Sequence, residues 1–216
     1  LRFDKTNFAR FFKFSMPLLL SAVFSYLYEW FDVIIIQKYF NLSTVGNFRY
    51  YQIIYLGMSQ ISIVAGTILF PLITSLIIKN RKDIMDFILD KGALICSTIY
   101  YLFICIVWIL MFFFFRIVFN ETNESMLVLS VYLSTLPASL YLYFILGFIN
   151  GYELSWSVLI KNISISIIKV GLSFWLIKYY GILGATFLNL VCNLLQIWFF
   201  IFILRSKFRY NFANIC

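Results

Sequence analysis

Hydrophobic residues in this chain occur in long, continuous runs separated by short segments that contain charged, Gly or Asn residues. Each run is longer than the about 20 apolar residues that a helix needs to cross the hydrocarbon core of a bilayer. Transmembrane β-strands are about 10 residues long and alternate between apolar and polar positions, and these runs do neither. The pattern predicts an all-α membrane protein with six transmembrane helices, over residues 14–40, 45–78, 92–118, 126–149, 155–177 and 182–204.

The composition agrees with a membrane location and argues against a soluble metabolic enzyme. Of the 216 residues, 63% are hydrophobic and 12% are charged, whereas soluble domains carry about 25% charged residues. The chain has no His, and its four Cys residues show no Cys-x-x-Cys spacing. The usual general base and the usual zinc-ligand patterns are therefore missing. We expect a protein that is not an enzyme and that uses no metal and no cofactor.

The positions of Lys and Arg predict the orientation, because these residues near span ends are retained on the cytoplasmic side. Eleven of them fall in the N-terminal segment, the connection after the second span and the tail, whereas the opposite side carries four. We therefore expect both termini in the cytoplasm, with a basic segment at 1–13, a helical bundle at 14–204 and a basic tail at 205–216. The net charge of +8 is divided among these segments, which argues against nucleic-acid binding.

Several polar residues of the fifth predicted span lie on one helix face. Asn162, Ser166, Lys169 and Ser173 are spaced by four, three and four residues, which places them on one side of a helix. Lys169 lies about 21 Å from the start of the span, too deep to reach the interface, whereas Lys161 lies about 9 Å in and could extend its ammonium to the cytoplasmic surface. Ionisable residues within a span normally face a bundle interior or a water-filled cavity.

Acidic residues occupy the matching part of the first predicted span. Ser21, Ser25, Tyr28 and Asp32 share a face, with Glu29 beside them at about the same depth as Lys169. If the two helices face a common cavity, an acid and a base meet there at one level. Two interpretations stay open: a buried ion pair that joins the helices, or a carboxyl group that takes up and releases a proton during transport.

Two further spans carry polar positions. Arg49 lies near the outer end of the second span, where it is either an ordinary interfacial charge or a guanidinium suited to phosphate oxygens. Uncharged side chains also hydrogen-bond between membrane helices, so for the sixth span we favour helix packing over substrate contact. The polar residues of the sixth span are Thr186, Asn189, Asn193 and Gln196.

The order of these features resembles a known family. Pro17 opens the first span, Asp32 lies near its far end, and Val45-Gly46-Asn47-Phe48 starts the next span. Near the C-terminus, the positions that match the family's closing helix pair are Asn162, Tyr180, Gly181, Gly184 and Ala185. Over about 11–205 the chain is similar to the second half of the Wzx-type O-antigen flippases, within the multidrug/oligosaccharidyl-lipid/polysaccharide exporter superfamily.

The resemblance implies a fold and a function. Such proteins have two six-helix bundles around a central cavity, so this chain, which begins with Leu1, would be a fragment that forms one bundle and partners a missing N-terminal six-helix half. The cargo would be a polyprenyl-diphosphate-linked O-antigen or polysaccharide repeat unit, moved by ion-coupled transport from the cytoplasmic to the periplasmic leaflet of the bacterial inner membrane.

The resemblance also suggests roles for the polar residues. Replacing Lys169 by Ala is expected to abolish O-antigen display without lowering membrane abundance. The expected substrate-binding residues are Lys169, Lys161, Arg49 and Asn162, and the expected ion-coupling residues are Glu29 and Asp32.

Other functions stay open. A multidrug cation exporter or a lipid II flippase would belong to the same superfamily. An O-antigen polymerase belongs to a different class, and it would be expected to carry a large external loop, whereas no predicted loop here exceeds about a dozen residues. A structural membrane subunit is the remaining alternative, and it would not need Lys169 and Glu29 at matching depth.

Overall fold

The computed structural model describes residues 5–118, 123–152 and 154–208, and this part of the chain is helical with no β-strand. The short helix α3 (Lys82–Phe87) leads through a π-helical turn, Ile88–Gly92, directly into α4 (Ala93–Val118). The helices are α1 (Lys5–Tyr39), α2 (Leu42–Ile78), α3 (Lys82–Phe87), α4 (Ala93–Val118), α5 (Asn123–Ser134), α6 (Leu136–Gly151) and α7 (Ser155–Phe208).

Five segments of the described chain are long and apolar enough to cross a membrane. They define an all-α, multi-pass membrane protein, as the hydrophobic runs predict. The sequence predicts six spans, and the difference arises in the last segment, where one helix of 50 residues covers both the fifth and the sixth predicted spans. The five segments are Ser15–Tyr39, Leu42–Ile78, Ala93–Phe114, Ser125–Gly151 and Ser155–Leu204.

Helix α7 reverses direction at Gly181. The backbone of this residue has φ 57 and ψ −134, a conformation that glycine adopts far more readily than other residues. A Cβ atom at Gly184 would collide with the carbonyl oxygen of Leu176, so the chain is closely folded at this point. Lys161 and Gln196, which are 35 residues apart, are joined by a hydrogen bond. The two arms, α7a (155–180) and α7b (182–208), are therefore antiparallel neighbours.

Helices α1 and α7a pack side by side and run in the same direction. Asn162 contacts Ser21, Ser166 contacts Phe24 and Lys169 contacts Tyr28. Residue numbers therefore increase in the same direction along both helices. Two parallel neighbours that both span a membrane must have an odd number of spans between them, and here the three are α2, α4 and the α5–α6 segment. The contact thus brings together the two polar faces that the sequence predicts for the first and fifth spans.

Helices α2 and α6 approach closely through small residues. An added Cβ atom at Gly66 would lie 3.1 Å from Tyr143, and one at Gly147 would lie 3.3 Å from Leu69. Ser62 and Ser139 form a hydrogen bond of 3.2 Å across the same contact. Small residues of this kind let membrane helices pack at short distance, and here they hold α6 in place as one wall of the bundle.

The helix ends differ from the predicted segment boundaries. Helix α1 begins at Lys5 and α7 continues to Phe208, so both extend beyond the predicted bundle at 14–204. The fourth predicted span is interrupted, because α5 ends at Ser134 and α6 begins at Leu136, next to Pro137. Residues 1–4 and 209–216, which belong to the predicted basic ends, lie outside the described residues.

Candidate functional site

A cavity of about 360 Å³ with both polar and apolar lining side chains lies between α1, α2, α5, α6 and both arms of α7. Such a volume is within the range of small-ligand pockets, about 300–1,000 Å³. Its charged lining residues are Glu29, Lys161 and Lys169. Its amide-bearing lining residues are Gln52, Asn150, Asn162, Asn189, Asn193 and Gln196.

The ammonium group of Lys169, at the wall of this cavity, has close partners on α1. Its Nζ lies 2.8 Å from Oδ2 of Asp32, and both side chains are 1% exposed. The same ammonium donates to the backbone carbonyl of Tyr28 at 2.7 Å and lies 3.6 Å from the centroid of that tyrosine ring. This geometry is that of a buried ion pair that joins α1 to α7a.

Asp32 is the carboxylate that pairs with Lys169. The sequence instead predicts that Glu29 is the acid at the depth of Lys169. Asn189 donates its Nδ2 to Oδ2 of Asp32 at 3.2 Å, and Oδ1 of Asp32 is buried without a partner among the described residues. The depth prediction holds, because Lys169 lies level with Tyr28 and Asp32. The partner differs because Asp32 shares the α1 face that packs on α7a, whereas Glu29 is exposed along the cavity wall.

Lys161 is buried and has no carboxylate within ion-pair distance among the described residues. Its Nζ donates to Oε1 of Gln196 at 2.8 Å and lies 5.0 Å from the ring centroid of Phe200. The side chain is 5% exposed, so the expected extension to the membrane surface is wrong. Helix α7b covers Lys161, because the reversal at Gly181 folds that arm back over α7a.

Asn162 lines the cavity and also joins α7a to α1. Its Nδ2 donates to the backbone carbonyl of Ser21 at 3.2 Å, to Oγ of Ser25 at 3.0 Å and to Oγ of Ser21. These bonds all use the amide nitrogen, so the amide oxygen is the group of Asn162 that stays available to the cavity.

Arg49 is not among the residues that line the cavity. Its Nη1 donates to Oε1 of Gln52 at 2.7 Å, and its Cζ lies 4.0 Å from the ring centroid of Trp30. Gln52 does line the cavity. Arg49 therefore contacts a lining residue, and its substrate-binding role stays a prediction.

One wall of the cavity escaped the sequence analysis. Helices α5 and α6 contribute Tyr132, Ser139, Tyr143 and Asn150 to the lining. Their spacings of seven, four and seven residues place them on one helical face, so the same periodicity test would have found them. On α7b, Asn189 hydrogen-bonds to Asp32 of α1 and Gln196 to Lys161 of α7a. Both side chains also line the cavity, so they serve helix packing and the cavity lining together.

Comparison with known proteins gives one match. Residues 2–77, which include α1 from Lys5 onward and α2 nearly to its end, match the family model described as "Polysaccharide biosynthesis protein". The match spans about a third of the chain. No curated protein and no solved structure gives a significant match. The match supports a membrane protein of polysaccharide biosynthesis, in agreement with the family resemblance of the sequence.

Proposed function

We propose that this chain forms part of a flippase that moves polyprenyl-diphosphate-linked saccharide units from the cytoplasmic to the periplasmic leaflet of a bacterial inner membrane. One observation carries the proposal: a cavity inside an apolar helical bundle contains Lys161, a buried lysine without a carboxylate partner among the described residues. The family match over residues 2–77 supports polysaccharide as the cargo class.

The lining of the cavity suits such a cargo. A buried ammonium without a counter-ion is costly, so Lys161 would gain from a bound anion such as a diphosphate. The amides and tyrosines around it can hydrogen-bond with phosphate oxygens and sugar hydroxyls. The polyprenyl chain would remain in the bilayer while the polar head passes through the cavity.

We propose that ion coupling depends on Glu29. This carboxyl group lies on the cavity wall and is exposed, whereas Asp32 is held by Lys169 and Asn189. The complete transporter would have a second six-helix bundle opposite this one and both termini of this chain in the cytoplasm. Lys169 and Asn162 would shape the α1 side of the cavity rather than bind cargo as free donors.

The test replaces Lys161 by Met in the intact protein and measures surface polysaccharide with a specific antiserum. We expect display to fall more than about tenfold, because one charge-assisted hydrogen bond to an anion contributes about 1.5–3 kcal/mol. Membrane abundance should stay constant, because Met is apolar and similar in length. Lipid-linked precursors should accumulate in the cytoplasmic leaflet.

Two matched variants complete this test. Lys161→Arg keeps the positive charge and should retain display, and Lys178→Met removes an exposed lysine of the same helix and should leave display unchanged. Normal display in Lys161→Met at normal abundance would exclude Lys161 from cargo binding and would contradict the proposal.

A further inference from the structure

Three amides of the cavity are each bound to a charged group. Arg49 donates to Gln52 at 2.7 Å, and Lys161 donates to Gln196 at 2.8 Å. Lys and Arg side chains only donate hydrogen bonds. The oxygen atom of each Gln amide must therefore face its cation.

Asp32 shows the opposite case. An ionised carboxylate only accepts hydrogen bonds, and Asn189 turns its amide nitrogen to Oδ2 of Asp32 at 3.2 Å. Cations and the anion thus select opposite ends of the amides that they bind. The charged partner of each amide decides which end of that amide stays available to the cavity.

The two Gln side chains are left with free donors. Among the described residues, their hydrogen bonds are those received from Arg49 and Lys161, both on the oxygen atom. Gln52 and Gln196 both line the cavity. Their NH2 groups are therefore the ends that can bind a ligand.

Arg49 stacks on an aromatic ring, and its Nη2 is buried without a hydrogen-bond partner among the described residues. Its guanidinium carbon lies 4.0 Å from the ring centroid of Trp30, a cation–π contact between α2 and α1. Arg49 does not line the cavity, and its hydrogen bond to Gln52 connects it to a residue that does.

We propose that Arg49 is a positioning residue that turns the NH2 group of Gln52 into the cavity, where it donates to a diphosphate oxygen of the cargo. Lys161 acts on Gln196 in the same way, in addition to supplying charge. Phosphate oxygens only accept hydrogen bonds, so a wall of oriented N–H groups matches them better than one of freely rotating amides. This inference rests on the proposed function, and it assigns the diphosphate to named donors.

The experiment is a double-mutant cycle on the purified intact protein in lipid nanodiscs. Geranylgeranyl diphosphate is the probe, geranylgeraniol is the control without phosphate, and calorimetry gives the dissociation constants. We expect Arg49→Met and Gln52→Met each to weaken diphosphate binding about tenfold, the effect of one lost hydrogen bond. The double variant should bind no more weakly than either single variant, because both act through one contact.

Two further variants sharpen the cycle. Arg49→Lys should bind within about threefold of the wild type, because an ammonium can also donate to Gln52. Gln52→Glu keeps a partner for Arg49 but replaces the NH2 group by an oxygen, so it should weaken binding more than Gln52→Met does. Thermal unfolding of every variant is recorded to separate binding from folding.

Each other outcome overturns the inference. Strong loss in Arg49→Met with normal binding in Gln52→Met would mean that Arg49 contacts the ligand directly. Lower unfolding temperatures with unchanged dissociation constants would mean that the Arg49–Gln52 contact is structural. If the wild type binds geranylgeranyl diphosphate no more tightly than geranylgeraniol, diphosphate recognition fails altogether, and the proposed function fails with it.

Discussion

The two lysines of α7a have different surroundings, although both are buried and only eight residues separate them. Lys169 has a carboxylate, a carbonyl oxygen and an aromatic ring around its ammonium. Lys161 has one amide oxygen and a more distant ring. At the Lys169 end of the cavity the ammonium is therefore paired with a carboxylate, whereas at the Lys161 end no carboxylate partner is present among the described residues.

The register of α1 against α7a explains this difference. Contacts between the two helices join residues that are about 141 positions apart, as in Ser21 with Asn162 and Tyr28 with Lys169. The same offset places Leu20 opposite Lys161, so α1 offers no acid there. Whether a buried lysine of α7a forms a structural ion pair or stays available to a ligand thus depends on whether α1 has an acidic residue opposite it.

The largest expected effect concerns the Lys169–Asp32 ion pair. Asp32→Ala would leave Lys169 buried without its counter-ion, and we expect the free energy of unfolding to fall by about 3–5 kcal/mol. Thermal unfolding of the purified protein and its abundance in membranes would show this. Lys169→Ala would strand Asp32 in the same way, so loss of abundance is expected there too, contrary to the expectation from sequence.

The matched control for this prediction removes both charges. Asp32→Leu combined with Lys169→Met replaces the ion pair by apolar side chains, which is often neutral or stabilising in buried sites. An unfolding temperature of Asp32→Ala close to that of the wild type would show that the pair contributes little to the fold.

The second prediction compares two side chains of α7b. Gln196 accepts a hydrogen bond from Lys161, and Asn189 donates one to Asp32. Gln196→Leu removes the acceptor of Lys161 and should cost about 1.5–3 kcal/mol, because no other hydrogen bond of the Lys161 ammonium is found among the described residues. Asn189→Leu should cost about 1 kcal/mol, because Asp32 keeps Lys169. Chemical unfolding of both variants measures the difference, and equal losses would mean that the two ends are energetically alike.

The smallest effect on stability is expected at Glu29. This residue is exposed on the cavity wall, so Glu29→Gln should change the free energy of unfolding by less than about 0.5 kcal/mol. Transport into proteoliposomes should nevertheless lose its dependence on an imposed proton gradient. Asp32→Asn is measured for comparison. If transport by Glu29→Gln still depends on the proton gradient, Glu29 takes no part in the coupling.

Much of the candidate site was predictable because helical periodicity is a local property. The spacings of Ser21, Tyr28 and Asp32, and of Asn162 and Lys169, place each set on one face without knowledge of any other helix. The wall formed by α5 and α6 carries the same kind of signal. Its polar residues are Tyr, Ser and Asn, which are uncharged and also occur in ordinary helix packing within a membrane. A lysine in a span is a stronger signal, because burying its charge is costly.

Partner choice was less predictable, because it depends on rotations and registers between helices. Glu29 and Asp32 lie one turn apart in depth, and the sequence does not say which of them faces Lys169. The position of Arg49 behind Gln52 depends on its stacking on Trp30, a contact between α1 and α2. No local pattern along the chain predicts either outcome.

The sequence by itself determined the solvent and the secondary structure, because apolar runs of this length must satisfy their backbone hydrogen bonds internally in lipid. It also determined which residues share a helix face. The tertiary structure alone decided which charges are neutralised, because an ion pair needs atoms from two helices within a few ångströms of each other. That packing paired Lys169 with Asp32 and left Lys161 without a carboxylate partner in the part of the chain that the structure describes.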